Sequence, residues 1–164
     1  MLSKNRAEKS HQINMVCIED LVPKDHLLRD IDRAIDFSFI YDYVKDLYCA
    51  DNGRPSIDPV ALFKIVLIQY LLGIRSMRQT IKEIEVNMAY RWFLGYDMLE
   101  PIPHFSTFGK NYVRRFADTD IFERIFERIL AEAVNVGFFT RASIRFSLHI
   151  PRIPPVTSTI LFLM

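Results

Sequence analysis

The chain has 164 residues, half of them apolar, and its 21 Lys and Arg nearly balance 20 Asp and Glu, for a formal net charge of +1. That length supports one compact core and excludes two comfortable domains, while the balanced charge neither requires nor forbids a polyanionic partner. Two cysteines, Cys17 and Cys49, make no disulfide framework, and nothing ahead of them reads as a secretory signal. A reduced, cytoplasmic setting is expected, with both cysteines as buried small hydrophobes.

The charge is unevenly spread. Residues 1–50 carry 9 acidic and 7 basic side chains, whereas from Pro101 onward 8 basic residues face 5 acidic ones, which favours the second half for nucleic-acid contact. In chain order, Pro23-Lys24-Asp25 leads into Leu27, Leu28, Ile31 and Ile35, an apolar stripe opposite Arg29, Asp30, Asp32 and Arg33. This is an amphipathic helix. Asp25, Asp30, Asp32 and Asp36 lack a histidine at ligand spacing and read as its solvated face, not as a metal or acid/base site. Phe37 to Tyr48 is a second helical stretch, ended by a turn at Asp51-Asn52-Gly53-Arg54-Pro55.

Pro59 to Leu72 is apolar on nearly every side. At about 14 residues, roughly 21 Å as a helix, it falls short of the roughly 20 residues a bilayer needs, and Lys64 interrupts it. Such a helix is the central element around which others pack. Asp58 is its N-cap, Pro59 its first residue and Gly73 its stop. Ser76 and Gln79 have capping-box spacing, and the helix they begin carries Met77, Ile81, Ile84 and Met88 on one side and Arg78, Lys82 and Glu85 in water, running on through Tyr90-Arg91-Trp92-Phe93-Leu94 to Gly95. Trp92, Phe93 and Tyr96 read as core.

Pro101 and Pro103 forbid helix, and Ser106 or Thr107 is expected to cap the next one. There Phe108, Tyr112 and Phe116 form an aromatic spine, while Lys110, Asn111, Arg114 and Arg115 project elsewhere as a positive face. His26 and His104 read as ordinary residues near helix starts and turns. Asp118-Thr119-Asp120 caps a final helix of paired apolar positions from Ile121/Phe122 to Ala133/Val134, stopped at Asn135-Val136-Gly137. With no period-2 pattern before Gly137, the expected fold is all-α, a multi-helix domain over residues 1–137 around the helix at about 59–72, followed by an irregular tail, 138–164.

Two basic groups are candidate DNA contacts: Arg75, Arg78 and Lys82, and then Ser106, Thr107, Lys110, Asn111, Arg114 and Arg115. Charges opposite an apolar stripe also occur on any solvated helix, so both readings stay open on residues alone. The stretch from Ser76 to Phe116 has a helix-turn-helix-like order, although its turn is longer than the standard one.

Four blocks carry a family resemblance: Asp51-Asn-Gly-Arg-Pro-Ser-Ile-Asp-Pro59, Gly73-Ile-Arg-Ser-Met-Arg-Gln79, Tyr90-Arg-Trp-Phe-Leu-Gly-Tyr96 and Pro103-His-Phe-Ser-Thr-Phe108. In order and spacing they resemble the InsH-like N-terminal domain of DDE-type insertion-sequence transposases, over roughly residues 10 to 137. The resemblance implies an all-helical module that helps bind transposon ends ahead of an RNase H-like catalytic core. That core holds Mg²⁺ ions about 3.5 to 4 Å apart on carboxylates. Here no Asp or Glu follows Glu132, and His149 is not preceded by Asp. The expectation is therefore a DNA-binding module without catalysis, cofactor, metal, membrane or small-molecule substrate, its tail the product of truncation or frameshift. The alternative is a dimerisation or scaffold element that uses the Ile121 to Val134 helix in a homodimer.

Overall fold

The computed structural model describes residues 15–48, 57–116 and 119–137. The expected turn at 51–55, Cys49, Asp118 and the tail from Phe138 lie outside them. Among the described residues there are eight α-helices and no strand: α1 Ile18–Leu21, α2 Leu27–Ala34, α3 Phe39–Val44 (extended by a 3-10 turn, Lys45–Leu47), α4 Pro59–Leu71, α5 Met77–Val86, α6 Met88–Leu94, α7 Phe105–Arg115 and α8 Ile121–Asn135. The all-α expectation holds. No helix among these residues is long and apolar enough to cross a membrane.

α4 is the axis of the fold, and its ends are set as its sequence dictates. The Asp58 carboxylate accepts from the N–H groups of Val60 and Ala61 at 3.4 and 3.3 Å and also receives the Tyr41 hydroxyl at 2.9 Å. At the other end Gly73 takes φ +61°, a left-handed conformation open to a residue without Cβ, and Ile74 N–H then reaches back to Gln69 C=O at 3.0 Å. Between these ends Leu62, Phe63, Ile65, Leu67 and Ile68 are almost wholly buried, each contributing about 1.5–3 kcal/mol of transfer free energy. α3, α5 and α6 pack on this helix.

Lys64 shows how a charge is tolerated there. Its ammonium donates to Asp32 Oδ1 at 2.6 Å and to the Phe93 carbonyl at 3.0 Å, and it lies 4.7 and 4.4 Å from the ring centres of Phe37 and Phe93. Asp32 is thus a partner for the central helix and not simply a solvated residue of α2. The interruption in the apolar run ties α2 and α6 to α4.

Several local expectations are corrected. The single helix expected from Ser76 to Gly95 is two, because Asn87 adopts φ −99°, ψ 111° and serves both. Its N–H completes α5 by donating to Glu83 C=O at 2.9 Å, and its side-chain oxygen accepts from the N–H groups of Ala89 and Tyr90 at 2.9 and 3.3 Å. An Asn competes for backbone partners in this way, and here the local bonds overcame the continuous apolar pattern. Cys17 is exposed, not buried, because its thiol donates to the Asp20 carboxylate at 2.8 Å at the start of α1. His26 is a working N-cap, its Nδ1 accepting from Leu28 N–H at 3.1 Å.

The second half closes on α4 through aromatic rings. Phe63 meets Phe116 at 5.7 Å in a T-shaped contact and Phe122 at 4.8 Å, and Phe122 also meets Tyr112 at 5.1 Å. The apolar face of α8 is spent in this core: Phe122, Ile125, Ile129 and Ala133 are buried, with α2 and α3 packed against the helix. That places the helix expected to mediate dimerisation inside the chain's own core.

Replacing Asn87 with Ala should lower stability by about 1 kcal/mol, seen as a lower midpoint in urea unfolding, with Asn87→Asp largely retaining the cap. Alkaline pH offers a second check. Burial, assisted by the negative charge of Glu123, pushes the Tyr112 phenol up to about 12 from its ordinary 10. The folded state then keeps a proton that the unfolded chain gives up, so this stabilisation is complete below pH 10 and is lost as the pH rises through about 12. Tyr112→Phe should flatten the decline in unfolding free energy across that window, and an unchanged decline would refute the assignment.

Candidate nucleic-acid interface

The two basic groups singled out in the sequence come together because α5 packs against α7. α5 starts where the Ser76 hydroxyl accepts from Gln79 N–H at 3.2 Å, which forms the serine half of the expected capping box. Met77, Thr80, Ile81 and Ile84 face inward, leaving Arg78 and Lys82 exposed one turn apart, with Arg75 exposed just ahead of the cap. The Arg78 guanidinium lies 4.5 Å over the ring of Phe105, the first residue of α7. One side chain thereby joins both basic groups.

α7 is capped by His104, not by Ser106 or Thr107, which fall within its first turn. The ring Nδ1 accepts from Ser106 N–H at 3.3 Å and lies 2.7 Å from the Ser106 hydroxyl, and the imidazole packs on Phe105 at 4.1 Å. Pro103 immediately before it favours neither helix nor an N–H donor, so the first residue free to cap is His104. Inward, Phe108, Tyr112 and Phe116 are buried as expected.

The polar face of α7 divides into two parts, which its sequence does not separate. Asn111 donates from its amide to Thr107 C=O at 2.9 Å and accepts from the Arg115 guanidinium, which stacks 4.3 Å over the Tyr48 ring. Burial pushes the Tyr48 phenol up, and the adjacent Arg115 charge pulls the other way. These two residues therefore fold back along the flank of the helix, contrary to the expectation that they project. Thr107, Lys110 and Arg114 are exposed at i, i+3 and i+7 and form the outward face, with Ser106 half-buried at its margin.

Several cations elsewhere are occupied. Arg29 bridges to Glu19, Arg33 to Asp30, Lys64 to Asp32 and Arg128 to Glu132. Arg124 and Arg128 also stack on Tyr43 and Phe39, at 5.3 and 3.9 Å. Among the described residues, these four ion pairs include none of Arg75, Arg78, Lys82, Lys110 or Arg114. Four cations on two packed helices and a fifth just ahead of α5, in no ion pair among the described residues, make a surface suited to polyanions. A surface pocket of about 420 Å³ beside α2 and α4 has its polar groups engaged, Lys64 with Asp32 and Asp36 with Ser38. No cluster of three or more His, Cys, Asp or Glu suited to a metal ion occurs among the described residues.

Arg91 was missed as a site-building residue. Only 4 % exposed, it donates to the carbonyls of Asp97 at 3.0 and 2.7 Å, of Glu85 at 3.4 Å and of Glu100. It thus fixes the end of α5 and the 97–100 turn that leads to α7. A lone Arg inside the apolar run from Tyr90 to Leu94 was the available signal, since a cation there must find acceptors. Trp92, read as core, is only half-buried, and its indole N–H donates to Glu19, whose carboxyl is held low by Arg29 and then by this bond.

The histidine cap is directly testable. His104→Asn should preserve α7, whereas His104→Leu should cost about 1 kcal/mol by urea unfolding; equal stability of the two variants would exclude the cap.

Comparison with known proteins adds one match: residues 16–114 fit the family described as Transposase domain (DUF772), a span that includes α1 to α6 and nearly all of α7. No curated protein and no solved structure matches the chain. A match over more than half of the sequence, including both basic helices, means that the chain belongs to the transposase domain family.

Proposed function

We propose that this transposase-family domain binds duplex DNA, at the ends of a mobile element, through the joined surface of α5 and α7. The observation that carries the reading is the set of five cations, Arg75 just ahead of α5, Arg78 and Lys82 on it, and Lys110 and Arg114 on the α7 that packs against it, in no ion pair among the described residues. α7, from Phe105 to Arg115, also contains no acidic residue. Arg75, Arg78 and Lys82 contact phosphates and set the position of the domain. Thr107, Lys110 and Arg114 face the groove, where a hydroxyl and two cations meet base edges or the flanking backbone. Ser106 keeps its place in the first turn of α7 beside His104. Asn111 and Arg115 act on DNA indirectly, by holding α7 against Tyr48. Strand chemistry is assigned to no residue of residues 1–137, and the Mg²⁺ of a DDE reaction to none of them either.

Fluorescence anisotropy with the full chain tests this reading. Duplexes from the inverted repeats that flank the coding sequence should bind more tightly than random duplex, with affinity falling steeply as salt rises. Lys110→Ala and Arg114→Ala should each reduce the slope of log affinity against log salt by about 1. Arg115→Ala should lower the unfolding midpoint more than it changes this slope. Equal affinity for repeat and random duplex overturns sequence recognition, and affinity independent of salt overturns DNA binding altogether.

A further inference from the structure

We infer that Val113 is a specificity-determining residue that packs against the 5-methyl group of a thymine in the major groove. This rests on the reading of α7 as the DNA-facing helix. Val113 is 58 % exposed although it lies in the interior of a helix whose core contacts are made by Phe108, Tyr112 and Phe116. It is exposed on the same outward side as Lys110 three residues before it, and Arg114 follows directly. It is the apolar member of that face. The polar side chain that could have competed for the same contact, Asn111, is turned away, bonded to Thr107 C=O and to Arg115.

The electrostatic setting distinguishes Val113 from the other exposed aliphatic residues nearby. Val86 and Leu99 are more exposed, at 75 % and 95 %, but Val86 follows Glu85 and Leu99 stands between Asp97 and Glu100. Carboxylates beside them repel a polyanion. Val113 sits on a helix without carboxylates, and the cations on either side of it carry no ion pair among the described residues. A helix held in the major groove by such cations brings an outward aliphatic group to the floor of the groove, where the apolar feature on offer is the thymine methyl.

The experiment uses the full chain and a duplex recovered from a randomised pool by repeated rounds of selection for binding. Wild type and Val113→Ala are each measured on that duplex and on the same duplex with deoxyuridine in place of thymidine, which removes only the methyl groups. Wild type should bind the deoxyuridine duplex about three- to tenfold more weakly, the equivalent of one buried methyl contact. Val113→Ala should bind the thymidine duplex more weakly by a similar factor and be indifferent to the exchange. Val113→Thr, which keeps one methyl and the branched shape, should retain part of the discrimination. The inference is overturned if wild type ignores the exchange, or if Val113→Ala remains as sensitive to it as wild type. A pool that yields no preferred duplex for wild type removes sequence-specific recognition itself, and the inference falls with it. Thermal melting of the variants separates contact from folding: an exposed residue should leave the midpoint within a few degrees, and binding loss that tracks a large drop in midpoint counts against a contact.

Discussion

Everything in this domain is arranged around a helix with no polar side to give to water. α4 buries Leu62, Phe63, Ile65, Leu67 and Ile68, residues that point in all directions around its axis, so stability requires neighbours on every side. α3, α5 and α6 pack on it, and the rings of Phe116 and Phe122 complete the enclosure from the second half. The constraint extends to the one cation of α4. Lys64 is tolerated because Asp32 and the Phe93 carbonyl neutralise or accept from it, which turns a break in the apolar pattern into a link among three helices.

The same accounting governs the arginines. Arg91 is buried and spends its guanidinium on three backbone carbonyls, while Arg29, Arg124 and Arg128 lie across aromatic rings, and Arg29 and Arg128 also pair with the carboxylates of Glu19 and Glu132. Planar guanidinium groups suit both uses, because the face stacks while the edge donates. Among the described residues, the cations outside these ion pairs include a group brought together on and just ahead of α5 and on α7, which suits a polyanion. The near-zero net charge of the chain therefore conceals a local excess, produced by which cations the fold employs internally.

Much of this was legible before any coordinates. The bounds of α4 follow from Asp58, Pro59 and Gly73, and the inward spine of α7 from aromatic residues every fourth position. Two failures share one cause. Asn87 divides a helix that hydrophobic periodicity joins, and His104 displaces Ser106 and Thr107 as a cap, because a side chain that can bond to nearby N–H groups is nearly invisible to a pattern built on apolar spacing. The periodicity of α7 likewise assigns Asn111 and Arg115 to the polar side without indicating that Tyr48, more than sixty residues earlier, would draw Arg115 back.

By itself the sequence determined the fold class, the central helix, the inward faces and membership of a transposase family, because those depend on local propensity, on patterning within one helix and on motifs in order along the chain. Only the tertiary structure decided which charges are available. Whether a cation faces solvent or is held by a carbonyl, a carboxylate or a ring depends on groups that are distant in sequence and adjacent in space. Arg114 and Arg115 are neighbours of the same type on the same helix, and only the packing of Tyr48 beside one of them separates a surface charge from a structural one.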